Sequence, residues 1–204
     1  FLTYAKGHRY YNLFVVALET GMRIGELKGL YWSDIDFEKR ALYVRRTMCH
    51  IHGENGYYFE AHDPKTFNGK RLIPLTNVCI DALIRQKLLN ETRIKKRKCW
   101  DFKDLVFPTS SGKPFQEVSA IDAINEILNK MEADGICIKK FTPHAFRHTF
   151  ATRAIENGMN PKTLQKILGH SSLQMTMDLY CHVSDETLFD EMKKMENQNG
   201  VKVV

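Results

Sequence analysis

The last third of the chain constrains its fold most, because three short helices there are fenced by start and stop signals. Thr142-Pro143 reads as an N-cap followed by Pro at the first helical position, and Asn157-Gly158 ends that helix. Asn160-Pro161 opens a second helix, which Gly169 closes. Ser171-Ser172 opens a third, which runs through Tyr180. Polar and aromatic residues gather at the junctions between them.

Upstream, Tyr10 to Thr20 is apolar enough for a buried helix, with Gly21 as its C-terminal stop. A short helix over Met22 to Leu30 carries Arg23 and Glu26. Trp32-Ser33-Asp34-Ile35-Asp36 reads as a turn into a strand over Ala41 to Thr47, rich in Leu, Tyr and Val. Strand-like residues return at Tyr57 to Glu60. Asn68-Gly69 then marks a tight hairpin turn, since both residues tolerate positive φ. The partner strand runs from Lys70 to Leu75, and Lys65 lies just ahead of the turn. From Val78 the pattern is helical, capped by Asn77, with Ile80, Leu83, Ile84, Lys87 and Leu88 at helical spacing. Phe107 to Pro114 is a loop by composition. Val118 to Met131 is another helix, with Ile121, Ile124, Ile127 and Leu128 on one face. The expected class is mainly α with a small antiparallel β-sheet (α+β).

A chain of 204 residues fits one large domain or two small ones. Hydrophobic content of 43% beside 26% charged residues is ordinary for a cored globular protein. No run of eighteen apolar residues exists, so no membrane span is expected, and nothing at the N-terminus reads as a signal peptide. The chain opens at Phe1 inside helical-looking sequence, which is expected of a piece of a longer protein. The five cysteines (Cys49, Cys79, Cys99, Cys137 and Cys181) are odd in number and form no CxxC pair. Reduced thiols in a cytosolic compartment are the simple reading. A net charge of +6 favours polyanionic partners. The densest basic run, Arg93-Ile94-Lys95-Lys96-Arg97-Lys98, reads as a solvated helix end rather than a dedicated phosphate patch.

Individually, the residues able to carry chemistry have bland readings. In His144-Ala145-Phe146-Arg147 the imidazole and guanidinium share a helix face in the first turn. Free N–H groups and the helix dipole favour an anion there. Taken alone, the pair could be a capping His and a surface Arg. Arg23 lies among apolar neighbours and needs a partner, which Glu26 supplies three residues on; a structural salt bridge explains this as well. His170 follows Leu168-Gly169 at a helix junction. Tyr180, in Met177-Asp178-Leu179-Tyr180, is by itself far more typical of a core residue than of a nucleophile. No metal site is expected. His50, His52 and His62 lie in the sheet region, His148 and His182 near the helices, and no carboxylate or thiolate pattern completes a ligand set.

Taken in order, Thr-Gly-Met-Arg-Ile-Gly-Glu-Leu around Arg23, Pro-Lys-Thr around Lys65, Thr-Pro-His-Ala-Phe-Arg-His-Thr-Phe-Ala-Thr from Thr142, Leu-Gly-His-Ser-Ser around His170 and Tyr180 ten residues later form one series. That series resembles the tyrosine recombinase (phage integrase) family over essentially the whole chain, and its wording is similar to integrases of conjugative transposons of Gram-positive bacteria. The resemblance implies the catalytic-domain fold of that family over residues 1–183, with residues 41–75 as its sheet region. It also implies that the family's N-terminal core-binding domain is not part of this sequence. The stretch from Met48 to Asp63 is longer than a minimal hairpin.

The resemblance further implies a site-specific recombinase that cleaves and rejoins double-stranded DNA without metal or other cofactor. Arg23 and Arg147 would stabilise the phosphorane, a task suited to bidentate guanidiniums. His170 would add a hydrogen bond, His144 would assist proton transfer, and Glu26 would support Arg23. Lys65 would protonate the departing 5′ oxygen, and Tyr180 would attack phosphorus to leave a 3′-phosphotyrosine. The implied partners are double-stranded DNA and copies of the chain, as a tetramer on paired sites; no membrane is involved. The implied setting is the bacterial cytoplasm, on the nucleoid. A type IB topoisomerase shares this chemistry, and a non-catalytic DNA-binding regulator is the reading from another class. From charge, the sheet is expected to meet the DNA backbone through Arg45, Arg46, Lys70 and Arg71. Residues 184–204 are expected to form a helix from Ser184 and a tail strand, Val201 to Val204, that tethers subunits.

Overall fold

The computed structural model of the protein describes residues 1–54, 56–63, 69–96, 102–180 and Lys193. Its centre is α2 (Tyr11–Thr20), whose Leu13, Phe14, Val15, Val16 and Ala17 are all buried. A helix apolar on every side must be covered on every side. α1 (Leu2–Ala5), α4 (Asn77–Lys95) and α6 (His144–Glu156) all pack against it. α5 (Glu117–Ala133) turns Ala120, Ala123, Ile124, Ile127, Leu128 and Met131 into the same core. A second, smaller cluster of Ala151, Ala154, Leu164 and Leu168 joins α6 to α7 (Pro161–Leu168), with Leu179 of α8 (Gln174–Tyr180) against it.

The ends of these helices lie close to where the sequence puts them. Asn160 caps α7 by accepting from the N–H groups of Lys162 and Thr163, and Gly169 closes it in the left-handed conformation at φ 65°. Pro143 already has helical dihedrals, so Thr142 stands in the capping position ahead of α6. The cap of α4 is Thr76, which accepts from Cys79 N–H; Asn77 instead accepts from Arg40. Gly21 ends α2 at φ 62°, and a Cβ there would stand 2.5 Å from the Phe150 ring and 2.9 Å from Leu168. Only glycine meets both demands, and its smallness lets α6 and the end of α7 close onto the end of α2.

Two expectations change. The helix expected over Met22 to Leu30 is one short turn, α3 (Ile24–Lys28), because Arg23 is extended at φ −70°, ψ 150° and caps it. The strands also pair differently. β1 (Ile35–Asp36), β2 (Ala41–Val44) and β5 (Arg71–Pro74) form one antiparallel sheet in the order β1-β2-β5. β3 (Thr47–Gly53) and β4 (Gly56–His62) form a separate hairpin that pairs Gly53 with Gly56. β5 therefore partners β2, through pairs from Ala41–Pro74 to Val44–Arg71, and not the strand just before it. The hairpin closes at Gly56, with φ 105°, and accounts for the stretch from Met48 onward, while Asn68 of the expected Asn68-Gly69 turn lies outside the described residues. The helix and strand expected in residues 184–204 lie outside the described residues, apart from Lys193.

Candidate active site

The site forms where α2, α3, α6 and α7 end or begin together. Glu26 is its anchor. It is 2% exposed and accepts four hydrogen bonds: from Arg23 N–H at 2.8 Å, Arg23 Nη1 at 3.0 Å, and Arg71 Nη1 and Nη2 at 2.9 and 2.8 Å. Burial opposes ionisation of this carboxyl. The hydrogen bonds and charge of Arg71, then the backbone and charge of Arg23, outweigh burial and hold its pKa below the usual carboxylate value.

Arg147 leaves the first turn of α6 and points inward, with 5% of its surface exposed. Its Nη1 donates to the Gly21 carbonyl and its Nη2 to the Leu168 carbonyl, each at 2.8 Å. Both acceptors lie at helix C-termini, where carbonyls without intrahelical partners and the helix dipole favour a cation. Burial, then the charge of Arg23, pushes the Arg147 pKa down to about 9, which still leaves the guanidinium charged at neutral pH. The Arg23 side chain is 42% exposed; besides Glu26 it reaches the Gly169 carbonyl, at 3.4 Å.

His170 follows Gly169 directly and is 8% exposed, with Nδ1 2.9 Å from Thr176 Oγ1. Burial first, then Arg147, Arg23, Arg71 and His144, lower its pKa to about 4, so the ring is neutral at pH 7. His144 lies in the first turn of α6 with its ring edge-on to His148, the centroids 5.0 Å apart. Its pKa is also lowered, by burial and then by His148, Arg147 and Arg23. Arg23, His144, Arg147 and His170 thus line one cleft of about 240 Å³ with Leu168 and Leu179. Tyr180 is the last residue of α8. Lys65 lies outside the described residues, although Gly69, four residues on, gives its carbonyl to Arg71 Nη1 at 3.1 Å.

The charge balance of this cluster says what it can hold. Three guanidiniums, from Arg23, Arg71 and Arg147, surround one carboxylate, Glu26, leaving two positive charges in excess. A partly buried excess of that size favours an incoming anion, and planar donors suit the oxygens of a phosphate.

The sheet residues expected on DNA divide into two pairs. Arg71 is turned inward, with 5% of its side chain exposed and Nε donating to the Ile167 carbonyl at 2.6 Å, so its bonds hold the protein together. Arg46 is bonded to buried Asp34 and to the Gly29 carbonyl, and its guanidinium lies 4.2 Å over the Tyr31 ring. Arg45 and Lys70 are more than half exposed, paired at 3.7 Å with Asp34 and at 2.7 Å with Asp63. All four, with His62, border a groove of about 560 Å³ between the sheet and the hairpin. The inward position of Arg71 has a sequence signal. In Arg71-Leu72-Ile73-Pro74 it shares strand parity with buried Ile73, while Leu72 is exposed. Among the hairpin histidines, His50 stacks on Tyr57 and Phe59, His52 meets Tyr57 edge-on, and His62 pairs with Glu60. No three potential metal-ligating groups converge among the described residues. No helix among them is long and apolar enough to cross a membrane.

Comparison with known proteins places this arrangement. The model of the phage integrase family matches residues 2–187. A XerC-like tyrosine recombinase of Caldanaerobacter subterraneus subsp. tengcongensis is 37% identical over 189 residues, covering 87% of this chain and 46% of that protein. The transposase of transposon Tn916 from Enterococcus faecalis is 32% identical over 201 residues, covering 96% of this chain and 47% of that protein. The chain therefore spans a little under half the length of these relatives. Among solved structures, the Tn1549 transposon integrase in complex with circular intermediate DNA superposes with a TM-score of 0.77 at 33% identity, covering 95% of this chain and 63% of that one. The XerA recombinase superposes with a TM-score of 0.67 at 27% identity, covering 98% of this chain and 62% of that one.

Because the Glu26 pKa is depressed in the fold, its contribution to stability is full above the unfolded carboxylate pKa, about 4.3. It is lost as pH falls through the lower folded value. Urea unfolding of the native protein should therefore show stability declining below about pH 4.3. Glu26→Gln should flatten that acid limb while lowering stability at pH 7. An unchanged limb would mean that Glu26 is not held ionised by its arginines.

Proposed function

The chain belongs to the phage integrase family, the tyrosine recombinases, and we propose that it is the catalytic portion of a site-specific DNA recombinase of a mobile element. The observation that carries this reading is the excess of two positive charges around Glu26, opening onto a cleft shared with His144 and His170. A cleft of that charge is suited to a phosphodiester whose charge grows as phosphorus becomes five-coordinate. Arg23 and Arg147 bind the non-bridging oxygens, and neutral His170 adds a donor. Tyr180 attacks phosphorus to form a 3′-phosphotyrosine, and His144 takes part in moving its proton. Lys65 delivers a proton to the departing 5′ oxygen. The covalent bond keeps the phosphodiester's energy for rejoining, so no nucleotide cofactor is needed.

The partner in this reading is double-stranded DNA, a reading supported by the Tn1549 integrase, whose structure is a complex with circular intermediate DNA. Arg45 and Lys70, on the groove between sheet and hairpin, contact its backbone. Four copies act on paired sites, and the segment 184–204 tethers one to the next. Residues 1–183 are the catalytic domain. The site of action is the bacterial nucleoid.

Covalent capture tests the reading. A nicked duplex carrying the element's end sequence, from which the 5′ fragment diffuses away after cleavage, should trap wild-type protein on DNA. Tyr180→Phe should lower capture by more than about a thousandfold while binding the duplex almost as well, since only a hydroxyl is lost. Capture at normal yield would mean that another residue is the nucleophile. Backbone contact has its own signature. Arg45→Gln combined with Lys70→Gln should reduce the slope of log affinity against log salt by up to about two counterions. An unchanged slope would place the groove away from DNA.

A further inference from the structure

Thr176 is fully buried at 0% exposure on a helix whose neighbouring residues Gln174, Met175, Met177 and Asp178 are all exposed. A docking position of this kind ordinarily holds an apolar side chain, because a buried hydroxyl must find a partner. Three other threonines within or at the end of helices, Thr20, Thr92 and Thr149, turn their hydroxyls back to the carbonyl four residues earlier. The Thr176 hydroxyl instead bonds across a turn to Nδ1 of His170, at 2.9 Å.

The chemistry of a neutral imidazole makes that choice consequential. A neutral ring carries one N–H, and the hydrogen bond made by one nitrogen decides whether the other can donate. To donate to a phosphate oxygen through Nε2, His170 must leave Nδ1 as an acceptor. A hydroxyl donating to Nδ1 selects that tautomer. Burial and the surrounding arginines keep the ring uncharged at neutral pH, so donation through Nε2 requires that tautomer.

We propose that Thr176 is a positioning residue: its hydroxyl locks His170 in the Nε2–H tautomer facing the phosphate site and, from one helical turn before Tyr180, seats the nucleophile's helix against that site. The proposal rests on the recombinase reading for its phosphate, but the tautomer lock can be observed without DNA. It makes Thr176 the link between phosphate recognition and presentation of the nucleophile, since the bond joins the segment after α7 to the helix that ends at Tyr180.

Long-range proton–nitrogen NMR on nitrogen-15-labelled protein distinguishes the two tautomers, with His170→Gln identifying the resonance. Wild type and Thr176→Ser should show Nε2 protonated and Nδ1 bare. Thr176→Val, which keeps the shape and removes the donor, should shift the ring toward Nδ1–H. Single-turnover cleavage of the nicked duplex should fall about ten- to hundredfold in Thr176→Val, somewhat less than the loss of a whole oxyanion donor. DNA affinity should be unchanged, and Thr176→Ser should recover most of the rate. Nδ1–H in wild-type protein overturns the proposal whether or not any variant folds. So does Thr176→Val with an unaltered tautomer or a wild-type rate. If wild-type protein forms no adduct, the recombinase reading fails, and the tautomer spectrum alone then decides the lock.

Discussion

Everything in the cleft depends on one carboxylate. Glu26 is buried where a lone charge would be costly, and it is tolerable only because two guanidiniums and a backbone N–H point at it. The arrangement is asymmetric. Arg71 takes both carboxylate oxygens through its two terminal nitrogens, while Arg23 binds one oxygen through Nη1. Arg71 therefore neutralises Glu26, and Arg23 is held more loosely, by one Glu26 oxygen and the Gly169 carbonyl, with 42% of its side chain exposed. Without Arg71 the whole charge of Glu26 would fall on Arg23 and compete with substrate for it. Arg71 also binds the carbonyls of Ile167 and Gly69. It thereby ties together the end of α7 that leads to His170, the segment that follows Lys65, and the turn that carries Arg23.

The fold supplies the second half of the device. Among the described residues Arg147 pairs with no carboxylate; its partners are the carbonyls of Gly21 and Leu168 at the ends of α2 and α7. Those two ends meet only because Gly21 lacks a Cβ that would strike Phe150 and Leu168. Helix termination, core packing and placement of a cation are here one event. Charge held by carbonyl dipoles rather than by an opposing ion stays available to an incoming anion. This is how the cluster keeps an excess of two positive charges while staying largely buried.

Local signals carried much of this into the sequence. Asn160, Pro161 and Gly169 act on backbone groups within a few residues, so the bounds of α7 and the helix junction at His170 were legible. The motif residues Arg23, His144, Arg147 and His170 do share one cleft. Strand pairing was less legible because it is non-local. Asn68-Gly69 is as good a turn signal as the pair ending at Gly56, and nothing local says that β5 will skip the hairpin to pair with β2. Composition marked Arg71 and Arg46 as basic but not as paired, because their Glu26 and Asp34 partners lie 45 and 12 residues away. Thr176 is six residues from His170 across a turn, a separation that matches no helical spacing.

The central claim is that Arg23, released by Arg71 from full pairing with Glu26, neutralises charge on a phosphate in the cleft. A methylphosphonate at the scissile position, which replaces a charged non-bridging oxygen with a methyl group, tests this directly. Single-turnover cleavage by Arg23→Ala should fall by about a hundredfold or more on the ordinary phosphate, as expected for loss of a transition-state donor. On the methylphosphonate, wild type and Arg23→Ala should differ far less, because the charge that Arg23 neutralises is gone. The same loss on both substrates would contradict the account and make Arg23 a structural partner of Glu26 alone.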